Sequence, residues 1–221
     1  MQIQTNTTTL LYELQQLLIQ IKTSNDVADA ESQLSVGMLS AHGLQLLHYA
    51  LFAIESQQSQ LPLTSVSAGA AIHDVLHELS PLAKSYGATI EFDASPYLEP
   101  VYANEQSLKG SVYALLTGMI TSSTNGIAPK ITVAVWQTKP KEQRIGVFSD
   151  TTPITLAMLK NKGVNRSTRM DASGTSHRSG LGFLVSQLLA SRLDASFSSF
   201  EHHQVPGVGF YLPESAQLQL L

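Results

Sequence analysis

The stretch SGLGFLVSQLLASRL, Ser179 to Leu193, decides how this chain is read. Gly180 and Gly182 flank Leu181, and an amphipathic run follows at once. Glycines let a backbone approach a phosphate closely, and a helix N-terminus behind them offers free N–H groups and a positive dipole end. The same pair can also serve only as a tight turn. Ser179, Gly180, Leu181 and Gly182 are therefore candidate nucleotide-side residues, with a helix expected from Phe183.

Downstream of this stretch, ASFSSFE and GVGFYLP alternate as two closing strands. Immediately upstream lies a polar segment that carries Lys160, Lys162, Arg166, Arg169 and Arg178, opposed only by Asp171. These are five of the chain's 13 basic residues, in a protein of net charge −4. Such a cluster attracts anions, either a polyphosphate or an acidic partner. A solvated loop is the plain alternative.

Further upstream, KITVAVWQ and QRIGVFSD alternate and are joined by TKPKE, which predicts a hairpin. NEQSLKGSVYALLTGMITS predicts a helix weakened by Gly110 and Gly118. ATIEFD predicts a short strand, and Ala70 to Tyr86 a helix ended by Gly87. QQSQLPLTSVS reads as a linker. Helix, strand, helix, two strands, long loop, helix and two strands predict an α+β sandwich, with helices on one face of a mixed sheet.

Before the linker the period is helical. Leu10, Leu14, Leu17 and Ile21 form a heptad-like seam, widened by Leu11 and Leu18. From Glu31 to Ser56 a second helix is expected, with Val36, Gly43, Leu47, Ala50, Leu51 and Ile54 on one face. Two such helices make a hairpin, and a second copy would cover its seam as a four-helix bundle. The alternative is that the hairpin packs on its own chain. The expected division is 1–60 for the hairpin and 61–221 for the sandwich.

Composition excludes several classes. The chain has 221 residues and no cysteine, so disulfides, thiolate metal sites and cysteine nucleophiles are ruled out. An acidic balance argues against a general nucleic-acid binder. MQIQTNTTTLL lacks a basic n-region and a long apolar h-region, and no apolar run nears the ~20 residues that span a bilayer. No signal peptide, no membrane contact and a cytoplasmic location are expected. His73 and His77 have a spacing that can hold metal, but no third ligand is in view; His202 and His203 lie by a turn and receive no role. No metal site is assigned.

The element order, with a glycine stretch late in the chain, resembles the core of a bacterial sensor histidine kinase: a dimerisation hairpin followed by a GHKL-type ATP-binding domain. IHDVLHELSPLAKSYGATIEF resembles that domain's first helix and strand. SGLGFLVSQLLASRLDASFSSF resembles its second glycine box with the helix and strand after it, and VGFYLP its closing strand. The fold implied is a hairpin, forming a four-helix bundle on dimerisation, followed by an α/β sandwich of the GHKL ATPase type. The basic segment falls where the family has its ATP lid.

The departures from the family are chemical. Ala114 and Gly118 stand where the N-box has two asparagines that help hold phosphates and magnesium. Magnesium wants hard oxygen ligands, and neither residue has a side-chain oxygen; Asn104 and Asn125 lie off that face. FSDTTPIT keeps the adenine-side aspartate as Asp150 but replaces the first-box glycines by Thr and Pro. Arg178 stands where a glycine is common. YELQQLL puts Tyr12 in the place of the phosphoacceptor histidine. His42 and His48, on the second helix, are the remaining acceptor candidates.

The resemblance therefore implies a degenerate kinase-like protein in two-component signalling. It would act as a dimeric binding module for a receiver domain or a partner histidine kinase. ATP or ADP would bind, if at all, without catalytic magnesium. An alternative is a histidine phosphotransferase relaying phosphate through His42 or His48. A third reading, an active GHKL ATPase or kinase, needs a magnesium ligand that the sequence does not offer.

Overall fold

The computed structural model describes residues 30–56, 60–121, 128–139, 142–149 and 180–212, with backbone alone at 30–36, 138–139 and 180. The first expected helix with Tyr12, Asp150, the basic segment with Lys160, Lys162 and Arg178, and Ser179 all lie outside the described residues.

Helix α1 spans Ala30–Glu55. A short strand β1 (Thr64–Val66) lies inside the expected linker and pairs antiparallel with β3 (Val101–Ala103). Between them run α2 (Ala68–Ser85) and β2 (Thr89–Ala94). The Ser67 hydroxyl accepts from the Ala70 N–H and so caps α2, and Gly87 turns the chain into β2 at φ 65°. Then follow α3 (Glu105–Thr121), the hairpin β4 (Lys130–Lys139) and β5 (Glu142–Ser149), α4 (Gly180–Ser191), and the hairpin β6 (Phe197–His202) and β7 (Val205–Leu212).

The main sheet has the order β2-β4-β5-β7-β6, with β2 and β4 parallel and the other neighbours antiparallel. Its inner face presents Ile131, Val133, Val135, Ile145, Val147, Val208 and Phe210 to the helices. This is the α+β architecture expected from the sequence: a mixed sheet with helices on one side.

Helix α3 sits at the centre. From Ser107 to Ile120 every side chain except that of Lys109 is buried. It packs on α2, α4 and α1. Asn104 accepts from the Ser107 N–H at 2.8 Å and donates to the Pro62 carbonyl at 3.2 Å, so it is the cap of α3. At the exposed end of the helix, Lys109 bridges Asp74 (2.9 Å) and Glu105 (2.8 Å), joining α2 to α3.

Helix α1 turns only part of its expected face inward. Ala50 is buried and Ile54 packs on the core, but Leu51 of that face is 48% exposed, and Leu46, Tyr49 and Ala53 complete the inward side. The reason is Gly110. The missing side chain there makes room for the Tyr49 ring, and a Cβ would also meet Leu189 Cδ1 at 2.8 Å. Tyr49 sets the rotation of α1, and the Arg192 guanidinium at the end of α4 donates to the Ser56 carbonyl at its far end.

Gly182→Val tests the packing at α3. A Cβ at Gly182 would lie 2.5 Å from the Ala114 carbonyl and 2.8 Å from the Gly118 nitrogen, and backbone cannot rotate away as a side chain can. The substitution is expected to cost about 1–3 kcal/mol in urea unfolding. Gly37→Ala, with nothing within 4 Å, is expected to gain up to about 1 kcal/mol by the higher helix propensity of alanine.

Candidate functional site

The glycine stretch is helical from its first described residue. Gly180, Leu181 and Gly182 form the opening turn of α4, not a loop before it. Leu181 is 3% exposed and faces the core. Gly182 lies against the backbone of α3 at Ala114 and Gly118, and Phe183 lays its ring over Gly118, 3.2 Å from where a Cβ would be. The N-box positions Ala114 and Gly118 and the glycine stretch are thus in direct contact.

A pair of serines fastens this junction further along. The Ser186 hydroxyl donates to the Ser111 carbonyl at 2.7 Å, and the Ser111 hydroxyl to the Ser186 carbonyl at 3.2 Å. Both serines are fully buried, so these bonds also satisfy groups that would otherwise be costly to hide from water. Thr117, next to the N-box position, spends its hydroxyl on the Tyr113 carbonyl at 2.8 Å. The α3 face against α4 offers magnesium no carboxylate and no amide side chain.

The two histidine candidates have different surroundings. His42 is half-buried, and its Nδ1 lies 2.5 Å from the hydroxyl of Tyr113 on α3. Burial pushes its pKa below the ordinary 6.5 and pushes the Tyr113 phenol up. His48 is exposed and meets the Gln106 amide at 3.2 Å. It belongs to a row of exposed positions, Gly37, Ala41, Leu44, His48, Leu51 and Glu55, spaced alternately by four and three. That is the spacing of a bundle seam. Sequence periodicity had not resolved this row, because α1 has apolar residues on two faces.

This arrangement can be compared with known proteins. Neither a protein-family model nor a curated protein sequence matches the chain. Solved structures do. The histidine kinase AdeS of Acinetobacter baumannii aligns with 95% of this chain and 97% of its own, at TM-score 0.57 and 15% identity. The fold is that of the histidine kinase core. Full-length ShkA, solved in complex with AMPPNP, aligns over 96% of this chain at TM-score 0.56 and 16% identity, and this chain spans 45% of its length. The catalytic domain of the histidine kinase ThkA aligns over 70% of this chain and 97% of its own, at TM-score 0.52 and 14% identity. Among the described residues no helix is long and apolar enough to cross a membrane.

The buried imidazole makes stability depend on pH. A neutral His42 is favoured in the fold, so the unfolded chain binds more protons in mildly acidic solution. Its contribution is fully present above pH 6.5 and is lost as pH falls through that value toward the lowered folded one. His42→Gln keeps a partner for Tyr113 but cannot titrate. Between about pH 7.5 and pH 5, the wild type is expected to lose more unfolding free energy than His42→Gln.

Proposed function

We propose that this chain is a degenerate histidine-kinase-like protein of two-component signalling. It works as a dimeric binding module for a receiver domain or a partner kinase. The observation that carries this reading is the contact of Gly182 with α3 at Ala114 and Gly118. Magnesium-assisted phosphoryl transfer needs metal ions that bridge the phosphates, held by oxygen ligands. Here the helix that should supply those ligands has small apolar residues, packed against a neighbouring helix. Among the described residues, those of α3 that face α4 do not fit a magnesium–triphosphate pair, and no transfer step is derived through one.

A nucleotide, where it binds, is a structural or regulatory ligand: ATP or ADP without catalytic magnesium. Asp150 would meet the base, and Lys160, Lys162, Arg178 and the turn Ser179–Gly182 the phosphates. That ShkA was solved with AMPPNP is in keeping with a nucleotide-sized ligand on this fold. The exposed row with Leu44 and Leu51 supports dimerisation, because it leaves a heptad-spaced apolar seam on α1 for other helices to cover.

The exposure of His48 favours a second reading, phosphotransfer through that residue. His42 is less suited, since its Nδ1 already contacts Tyr113. Two incubations of the purified chain separate the readings. With labelled ATP and magnesium, no phosphate is expected on the protein; labelling that a Tyr12 or His42 substitution abolishes would contradict degeneracy. With a phosphorylated receiver domain, the binding-module reading predicts complex formation without transfer. Acid-labile phosphate that disappears in His48→Gln would establish the phosphotransferase instead.

A further inference from the structure

The outer face of the sheet, away from the helices, holds a second cluster of chemistry. Asp93 stands on β2 and His202 on β6, the two edge strands. In a flat five-stranded sheet these edges would lie about 19 Å apart, four spacings of ~4.8 Å. Yet Asp93 Oδ2 and His202 Nε2 are 2.9 Å apart. The sheet curls enough for side chains from its two edge strands to meet across the outer face.

Glycines and aromatic rings allow this. Gly146 on β5 is paired with Gly209 on β7, and Gly207 with Phe148. The Phe148 ring lies over Gly146, 2.5 Å from where a Cβ would be, and also over Gly207. His202 then packs between Trp136 (centroids 5.9 Å) and Phe148 (5.1 Å). The two rings thereby fix the orientation of the half-buried His202 ring.

His203 joins them through an unusual turn. Only His203 and Gln204 separate β6 from β7, and both have left-handed backbones, at φ 48° and 65°. Such a two-residue hairpin is normally made by Asn-Gly or Asp-Gly. A histidine is uncommon there, and the conformation directs its ring back to the pair: His203 Nε2 is 3.6 Å from Asp93 Oδ2. Among the described residues, Asp93, His202 and His203 are a group of three metal-ligand side chains whose donor atoms all lie within 4.8 Å of one another.

We propose that Asp93, His202 and His203 bind a divalent transition ion of the zinc class. Tetrahedral zinc with bonds of ~2.0–2.1 Å places its donor atoms about 3.3 Å apart, and the two distances to Asp93 fall on either side of that value. Two imidazoles and one carboxylate match the donor preference of zinc over calcium or magnesium. Three protein ligands leave a fourth position, which opens on a cavity of about 570 Å³ lined also by Glu91, Lys130, Thr132, Phe148 and Ser149. The bound ion would link the two edge strands, so its occupancy would stabilise the curl of the sheet. The site lies on the sheet face opposite α3 and α4 and is independent of the function proposed above.

The test uses the full chain without a histidine tag, stripped of metal and titrated with zinc chloride by calorimetry. One equivalent is expected to bind and to raise the melting temperature. His203→Asn suits a left-handed backbone, so its metal-free melting temperature should match the wild type while zinc affinity falls at least tenfold. Asp93→Asn should fall likewise. His73→Gln with His77→Gln should leave affinity unchanged. Cobalt(II) in place of zinc should give an intense visible absorption in the wild type that His203→Asn loses. The proposal is overturned if the wild type binds no zinc saturably, if affinity survives in His203→Asn, or if it disappears instead with His73 and His77.

Discussion

Helix α3 is enclosed on nearly every side, and that enclosure sets the rest of the structure. A helix with the sheet beneath it and other helices over it cannot carry large polar groups without stranding them from water. Its buried side chains are mostly apolar or small, with the Ser111 and Thr117 hydroxyls returned to nearby carbonyls and the Tyr113 phenol set against His42. Where neighbours come closest, the residues are smallest: Gly110 under Tyr49, and Ala114 and Gly118 under Gly182 and Phe183. The degenerate reading proposed above rests on this packing, because a polar, phosphate-binding face on α3 would need the same surface.

The docking of α1 follows from the same helix. Tyr49, placed over Gly110, turns one face of α1 into the core, and the opposite row from Gly37 to Glu55 faces outward. One rotation therefore separates two histidines that are six residues apart. His42 goes to the half-buried contact with Tyr113, where burial disfavours its charge, and His48 goes to the exposed seam. Any phosphorelay chemistry in the described part of α1 would depend on that rotation more than on the local sequence around either imidazole.

Much of the architecture was legible in the sequence because it rests on local signals. The alternation in KITVAVWQ and QRIGVFSD, Gly87 after α2 and the closing strands each correspond to an element with nearly the expected bounds. β1 was hidden in a polar linker, since three residues are too few to show a period. The inward face of α1 was legible only in part: Ala50 was expected there, but Leu51 is as apolar as Leu46, and only a partner helix chooses between them. The glycine stretch kept its place in the fold but not its local form, because Gly182 is explained by α3, which lies more than sixty residues earlier. The cluster of Asp93, His202 and His203 was out of reach for the same reason. It depends on a sheet curling until strands far apart in sequence and in strand order touch.

The proposed degeneracy requires that α3 offers magnesium no ligand on the face packed against α4. Titration calorimetry of the full chain with ATP, in the presence and absence of magnesium, addresses it most directly. ATP is expected to bind equally with and without the ion, whether that binding is weak or undetectable. ATP binding that is tight and requires magnesium would contradict it, because the ion would then have found oxygen ligands that the packing of α3 against α4 does not provide.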